Sequence, residues 1–144
     1  MNNEFNPLLL DNQLCFPLYV CSKEIIRRYT PFLEPLGLTY TSYITLMSLW
    51  EQENVSVNKL GNRLFLDSGT LTPLLKKMES QGLITRQRGV QDERNVYIKL
   101  TKAGRELEEK CKDIPQKMMC NNIISREDAI VLVGMLHKLM NQMK

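Results

Sequence analysis

Leu66-Asp67-Ser68-Gly69-Thr70-Leu71-Thr72-Pro73-Leu74-Leu75-Lys76-Lys77-Met78-Glu79, running on to Gln81 and Gly82, decides the reading of this 144-residue chain. Leu71, Leu74, Leu75 and Met78 recur at helical spacing and belong to a core. They leave short polar groups at the front of the helix (Asp67, Ser68, Thr70, Thr72) and two long cations further on (Lys76, Lys77). Small polar groups can approach base edges and phosphates, and cations behind them can reach a phosphate backbone, so the pattern suits insertion into a major groove. Gly82 is placed to close this helix in the left-handed conformation, near Gln81. Pro73 is tolerable if it falls within the first turn or so, where backbone N–H groups lack partners anyway.

Working outward, Ser56 reads as the N-cap of a short helix over about Val57–Phe65, separated from the first by the break at Leu66–Gly69. Downstream, Leu83–Arg88 and Asn95–Leu100 alternate with period two around a polar tip, Gly89–Arg94. Arg86 lies on one of these strands. An arginine on such a tip, Arg94, can enter a minor groove, with Asp92 as its orienting partner. Further helices are expected over about Asp11–Tyr29, where Pro31 and Pro35 prevent clean continuation, and over about Thr41–Glu51. A fifth runs from Thr101 to about Cys120, kinked or broken by Pro115. A sixth follows a capping sequence at Ser125–Asp128 and carries the stripe Ile130, Val131, Val133, Leu136, Leu139, Met140 and Met143.

This order predicts a mainly α fold of about six helices with a small β-hairpin wing. It forms one domain over 1–144: a winged helix-turn-helix at about 41–100, between helices at about 8–31 and 101–144. The outer helices each have an apolar side to bury. Either they complete a monomer core, or they pack across a two-fold axis. A two-fold homodimer would also present two recognition helices to a palindromic double-stranded DNA site.

Charge supports the same region. Residues 61–100 hold seven Lys/Arg against four Asp/Glu, while the remainder is balanced, so the whole net charge of +3 sits in the segment expected to meet DNA. No apolar run is long enough to span a bilayer and Met1–Asn6 lacks the features of a signal peptide, so no membrane partner and a cytoplasmic location are expected. Cys15, Cys21, Cys111 and Cys120 form no C-x-x-C pair and His137 is the single histidine, so neither metal nor cofactor is expected.

The run Leu66–Glu79, with Gly82-Leu83-Ile84 and Asp92-Glu93-Arg94, resembles the MarR family of winged helix-turn-helix transcriptional regulators, most of all its branch that senses organic hydroperoxides. The resemblance spans about Leu10 to Pro115. It implies a triangular dimer, a recognition helix over about Asp67–Gln81 and a wing whose Arg94 enters the minor groove. Asp67, Ser68, Thr70, Thr72, Lys76, Lys77, Arg86 and Arg94 are accordingly the expected DNA-facing set, with Asp92 included as the partner that orients Arg94.

The thiols follow from the same resemblance. Cys15 falls in the first turns of the first helix, where the helix dipole can favour a thiolate, and Tyr19 lies one turn later on the same face. The segment Leu10–Phe16 resembles the region of the reactive cysteine in that branch, and Tyr29 and Tyr40 match tyrosines that hydrogen-bond the thiol there. Ile114-Pro115-Gln116-Lys117-Met118-Met119-Cys120 resembles the arrangement around a resolving cysteine supplied by the partner subunit. The resemblance thus implies a repressor released when an organic hydroperoxide oxidises Cys15, followed by an intersubunit disulfide to Cys120. Cys111 or a small thiol could take the resolving role instead. Three other readings are a regulator of the same type that senses small aromatic ligands, one that senses general thiol stress, and a thiol peroxidase. The last leaves the DNA-reading segment unexplained, and an enzyme is not expected.

Overall fold

A computed structural model of the chain describes residues 6–119 and 123–143. The chain divides into two compact units, Met1–Cys111 and Lys112–Lys144.

The first unit opens with a 3-10 turn at Leu10–Asn12 and then α1, Cys15–Leu33. Asn6, Asn12 and Gln13 fold the lead-in on itself: Asn12 Nδ2 donates to the Asn6 carbonyl, and Gln13 Nε2 to the Pro7 carbonyl. These side-chain bonds hold residues 10–13 out of the α-helix, so α1 starts four residues later than expected. It also runs through Pro31, which was expected to stop it. Leu33, 1% exposed, anchors the last turn in the core, and that burial outweighs the one backbone bond Pro31 removes. A second 3-10 turn, Glu34–Leu36, and left-handed Gly37 (φ 69°) lead into α2, Tyr40–Glu51. Thr39 and Ser42 form a reciprocal capping box at its start.

The helix-turn-helix follows the expected plan. The Ser56 side chain caps α3, Val57–Leu64, accepting from the Lys59 N–H at 3.2 Å. Phe65, with φ 54°, turns the chain into α4, Ser68–Ser80. The C-terminus of α4 closes as the sequence implies, with Gly82 at φ 73° and the Leu83 N–H returning to the Met78 carbonyl at 3.1 Å. The sheet holds one strand more than the expected hairpin. β1 (Val55–Ser56) pairs with β3 (Val96–Leu100), which also pairs with β2 (Ile84–Arg88), giving the antiparallel order β1-β3-β2. The core gathers Leu33, Leu46, Leu49, Leu60, Leu71, Leu75, Met78, Ile84 and Ile98, each no more than 1% exposed.

The helix expected from Thr101 to about Cys120 is two. α5 spans Lys102–Cys111 and α6 spans Ile114–Met119. The proline ring at 115 collides with the carbonyl four residues back, that of Cys111, which is where α5 ends; Pro115 then sits at the second position of α6, where no N–H is needed. In the first unit, α5 is held by Trp50 Nε1 donating to the Gly104 carbonyl at 3.0 Å, and by Arg105, which grips Glu53 through Nε and Nη2 at 2.7 and 2.8 Å. The Arg105 hydrogen bonds hold the Glu53 carboxyl below its ordinary range.

The second unit comprises α6 and α7, Arg126–Gln142. Ser125 caps α7, accepting from the Asp128 N–H at 3.1 Å and donating to its carboxylate at 2.8 Å. Ile130, Val131, Val133 and Met135 of α7 are each more than half exposed.

Candidate nucleic-acid interface and thiol site

Helix α4 is divided lengthwise. Leu71, Leu75 and Met78 are buried in the core, whereas Ser68, Gly69, Thr70, Lys76 and Lys77 are exposed and Thr72 half-buried. Spaced at 100° per residue, Thr72, Lys76, Gly69, Lys77 and Thr70 share the outward arc. Pro73 lies on that arc too, at the sixth residue of α4 and so beyond the first turn where it was expected. The N–H it lacks would have met the Gly69 carbonyl on the exposed side of the helix, where water can take its place.

Two of the expected DNA-facing side chains have other duties. Asp67 is the N-cap of α4, its Oδ1 accepting from the Thr70 N–H at 2.7 Å. Arg86 is half-buried; its Nε donates to Glu79 Oε1 at 3.1 Å and its backbone N–H to Glu79 Oε2 at 3.0 Å. Arg86 therefore fastens the root of the wing to α4. Arg94 is placed as expected: at the exposed tip, with Nε and backbone N–H both donating to Asp92 Oδ1, at 3.3 and 3.0 Å. A cleft of about 200 Å³ between the start of α3, α4 and the wing is lined by Thr72, Arg86, Arg94 and Asn95, so residues distant in sequence meet there.

These contacts make distinguishable predictions. Lys76→Ala or Lys77→Ala lowers the steepness of the salt dependence of DNA binding by about one phosphate contact. Arg86→Ala weakens binding through a loosened wing and leaves that slope unchanged. Binding isotherms over a salt series check both, and an equal loss of slope in Arg86→Ala would place its guanidinium on phosphate instead.

Cys15 is the first residue of α1 and is exposed; Leu14, ahead of it, supplies no side-chain cap. Tyr19 is exposed one turn later, with Lys23 Nζ 5.3 Å from its ring centroid. Tyr29 and Tyr40 lie elsewhere. Fourteen residues of α1 separate Tyr29 from Cys15, a rise of about 21 Å, and the Tyr40 ring is 5.0 Å from that of Tyr29. Neither phenol reaches the thiol of its own chain.

Instead they form a cluster with Tyr43, whose ring is 5.9 Å from Tyr29 and 6.4 Å from Tyr40. Sequence reasoning did not single out Tyr43 for this cluster; its position three residues after Tyr40 was the available signal. Burial raises all three phenols. Tyr29 also feels Tyr40, and Tyr43 is pushed up to about 12 by burial and by its neighbours Tyr29, Cys111 and Tyr40. All three remain protonated O–H donors at neutral pH. The unfolded chain releases the Tyr43 proton nearer the ordinary 10.0, so stability present below pH 10 is lost as pH rises through about 12. Ultraviolet phenolate titration of wild type against Tyr43→Phe checks this; a Tyr43 signal ionising near 10 would contradict it.

Cys111 is buried and its thiol is pushed up by burial, which argues against the spare resolving role. Cys15 and Cys21, both exposed, are six residues apart on α1, with Cα atoms about 10 Å apart, too far for an intrahelical disulfide. Cys120 lies outside the described residues. Among the described residues, no group of three or more His, Cys, Asp or Glu is gathered that could hold a metal ion, and no helix is long and apolar enough to cross a membrane.

A capped recognition helix with two outward cations, a wing fastened to it and an exposed arginine at the wing tip define a DNA-binding winged helix-turn-helix protein of the MarR type. Residues 27–111 match the transcriptional regulator SarA/Rot family. The chain is 49% identical over 140 residues, 97% of its length and 95% of the relative's, to the organic hydroperoxide resistance transcriptional regulator of Bacillus subtilis. AbfR of Staphylococcus epidermidis is similar in structure. Reduced and DNA-bound, it gives a TM-score of 0.76 at 32% identity over 92% of this chain and 93% of its own. Its disulfide form gives 0.66 at 33%, over 91% and 92%. A cysteine-to-serine mutant of MarR from E. coli, complexed with operator DNA, gives 0.76 at 25% identity, over 88% and 92%. The chain belongs to the SarA/Rot family of transcriptional regulators: it is a DNA-binding regulator and not an enzyme.

Proposed function

We propose that this chain is a redox-sensing repressor that holds a palindromic operator as a reduced homodimer in the cytoplasm and is released when an organic hydroperoxide oxidises Cys15. The observation that carries the reading is the exposed Cys15 thiol at the first position of α1, with Tyr19 one turn on, in a chain so similar to a hydroperoxide-resistance regulator. The Cys15 thiolate attacks one peroxide oxygen and breaks the O–O bond. The thiol becomes sulfenic acid, the hydroperoxide is reduced to its alcohol, and the thiol proton ends on that alcohol. The sulfenic acid then condenses with the Cys120 thiol of a second copy, forming the S–S bond and releasing water.

The 21 Å rise along α1 bears on where the donors come from. If Tyr29 and Tyr40 serve a reactive thiol, it is that of a second copy, so the sensing site is assembled by dimerisation. Apolar side chains exposed at both ends of the chain suit such a partner: Leu8 at 90%, Leu14 at 69%, Val131 at 61% and Met135 at 62%.

The test is a gel-shift titration with cumene hydroperoxide alongside non-reducing gels, on wild type and Cys120→Ser. Release of DNA with a crosslinked dimer in wild type alone supports the full reading. Release without a crosslink removes the disulfide and keeps the sensor. A wild type that stays on DNA overturns both.

A further inference from the structure

Gln81, immediately after α4, reaches back across the fold. Its Nε2 donates to the Gly37 carbonyl at 2.9 Å, joining positions 44 residues apart. Both ends of this bond are fixed. On the α4 side, the Gln81 N–H bonds the Lys77 carbonyl at 3.0 Å. On the other, the Gly37 N–H closes on the Glu34 carbonyl at 2.9 Å, and the Leu38 N–H on the Leu33 carbonyl at 3.1 Å. Gly37 is left-handed and exposes its carbonyl to the incoming amide; a Cβ there would lie 3.7 Å from Gln81 Nε2, close beside the bond.

The place of this bond gives it meaning. Residues 34–39 are the connector between α1 and α2, and the tyrosine cluster spans the same two helices, with Tyr29 on α1 and Tyr40 on α2. A change in the packing of those rings alters how α1 meets α2, and the short connector between them must absorb it. The Gly37 carbonyl is where that connector grips the C-terminal end of the recognition helix, one turn from Lys77. The bond is exposed, and water can replace either partner at little cost in stability. Its effect is therefore on where α4 sits.

We propose that Gln81 is a positioning residue for the redox response, carrying displacement of the tyrosine cluster into α4 through the Gly37 carbonyl. This role rests on the reading of Cys15 as the sensor. Removing the donor uncouples the two ends while leaving the thiol chemistry and the DNA-facing side chains in place.

The experiment compares full-length wild type, Gln81→Met (similar in size, no donor) and Gln81→Lys (donor restored). Operator affinity is measured before and after cumene hydroperoxide, and Cys15 oxidation is followed by mass spectrometry. Gln81→Met is expected to oxidise at the wild-type rate and, when reduced, to bind DNA within about twofold of wild type. The drop in its affinity on oxidation should be smaller than wild type's by about twofold to threefold, the range an exposed hydrogen bond can carry. Gln81→Lys should recover most of the drop. Full release by Gln81→Met, or no recovery in Gln81→Lys, overturns the role. Absence of Cys15 oxidation in wild type would overturn the sensor reading itself, and this role with it.

Discussion

Cys15→Ser is expected to hold operator DNA as tightly after exposure to an organic hydroperoxide as before it. The hydroxyl of serine is close to the thiol in size, and the exposed first position of α1 accepts it without strain, so fold and reduced-state DNA affinity should be unchanged. Serine cannot form a sulfenic acid, so the first covalent step is gone. A wild type that loses most of its DNA affinity should therefore contrast with a variant that loses none, and gel shifts over a hydroperoxide series show the difference. A Cys15→Ser protein that still leaves DNA would move the sensor to another thiol. Cys21 is then the next to test, since it is exposed and Cys111 is buried.

The second large effect concerns the fold. Gly104 lies where α5 crosses the start of the wing, and a Cβ added there would sit 2.2 Å from the Leu83 carbonyl oxygen and 3.1 Å from Leu100 Cδ2. The Leu83 oxygen is backbone and already accepts from the Thr101 N–H at 3.0 Å, so it cannot swing aside as a flexible side chain would. Gly104→Ala must lift α5 away from the sheet, straining both that bond and the one from Trp50 to the Gly104 carbonyl. Alanine's better helix propensity returns about 1 kcal/mol. The net loss is still expected to be about 3 kcal/mol, at the upper end for overpacking because the obstruction is main chain. Urea unfolding at one fixed protein concentration measures it. A loss under about 1 kcal/mol would mean that the two elements part easily.

The parts of the fold legible in the sequence were those governed by local chemistry. The caps at Ser56 and Ser125, the closing turn at Gly82 and the two-sided pattern of α4 each depend on residues within a few positions of one another. The parts that misled were decided by distant partners. Pro31 reads as a stop, but Leu33 beyond it is wanted in the core. Val55–Ser56 is too short to show alternation, and becomes a strand because Ile98 and Tyr97 lie beside it. In the candidate site, the type of residue was legible and its engagement was not. Nothing near Arg86 in sequence announces Glu79 as its partner, and the cluster of Tyr29, Tyr40 and Tyr43 exists because α1 and α2 pack together. The separation of Cys15 from Tyr29 was implicit in a single continuous helix, and is fixed by α1 running unbroken from Cys15 at its first position through Tyr29.

That separation has a genetic counterpart. When a thiol and the phenols that serve it belong to different copies, two damaged chains can repair each other. A chain carrying Cys15→Ser retains its tyrosines, and one carrying Tyr29→Phe and Tyr40→Phe retains its thiol. Homodimers of either should be insensitive or sluggish. Co-expressed, they should form mixed dimers containing one intact sensing site, and so regain part of the response that neither parent shows.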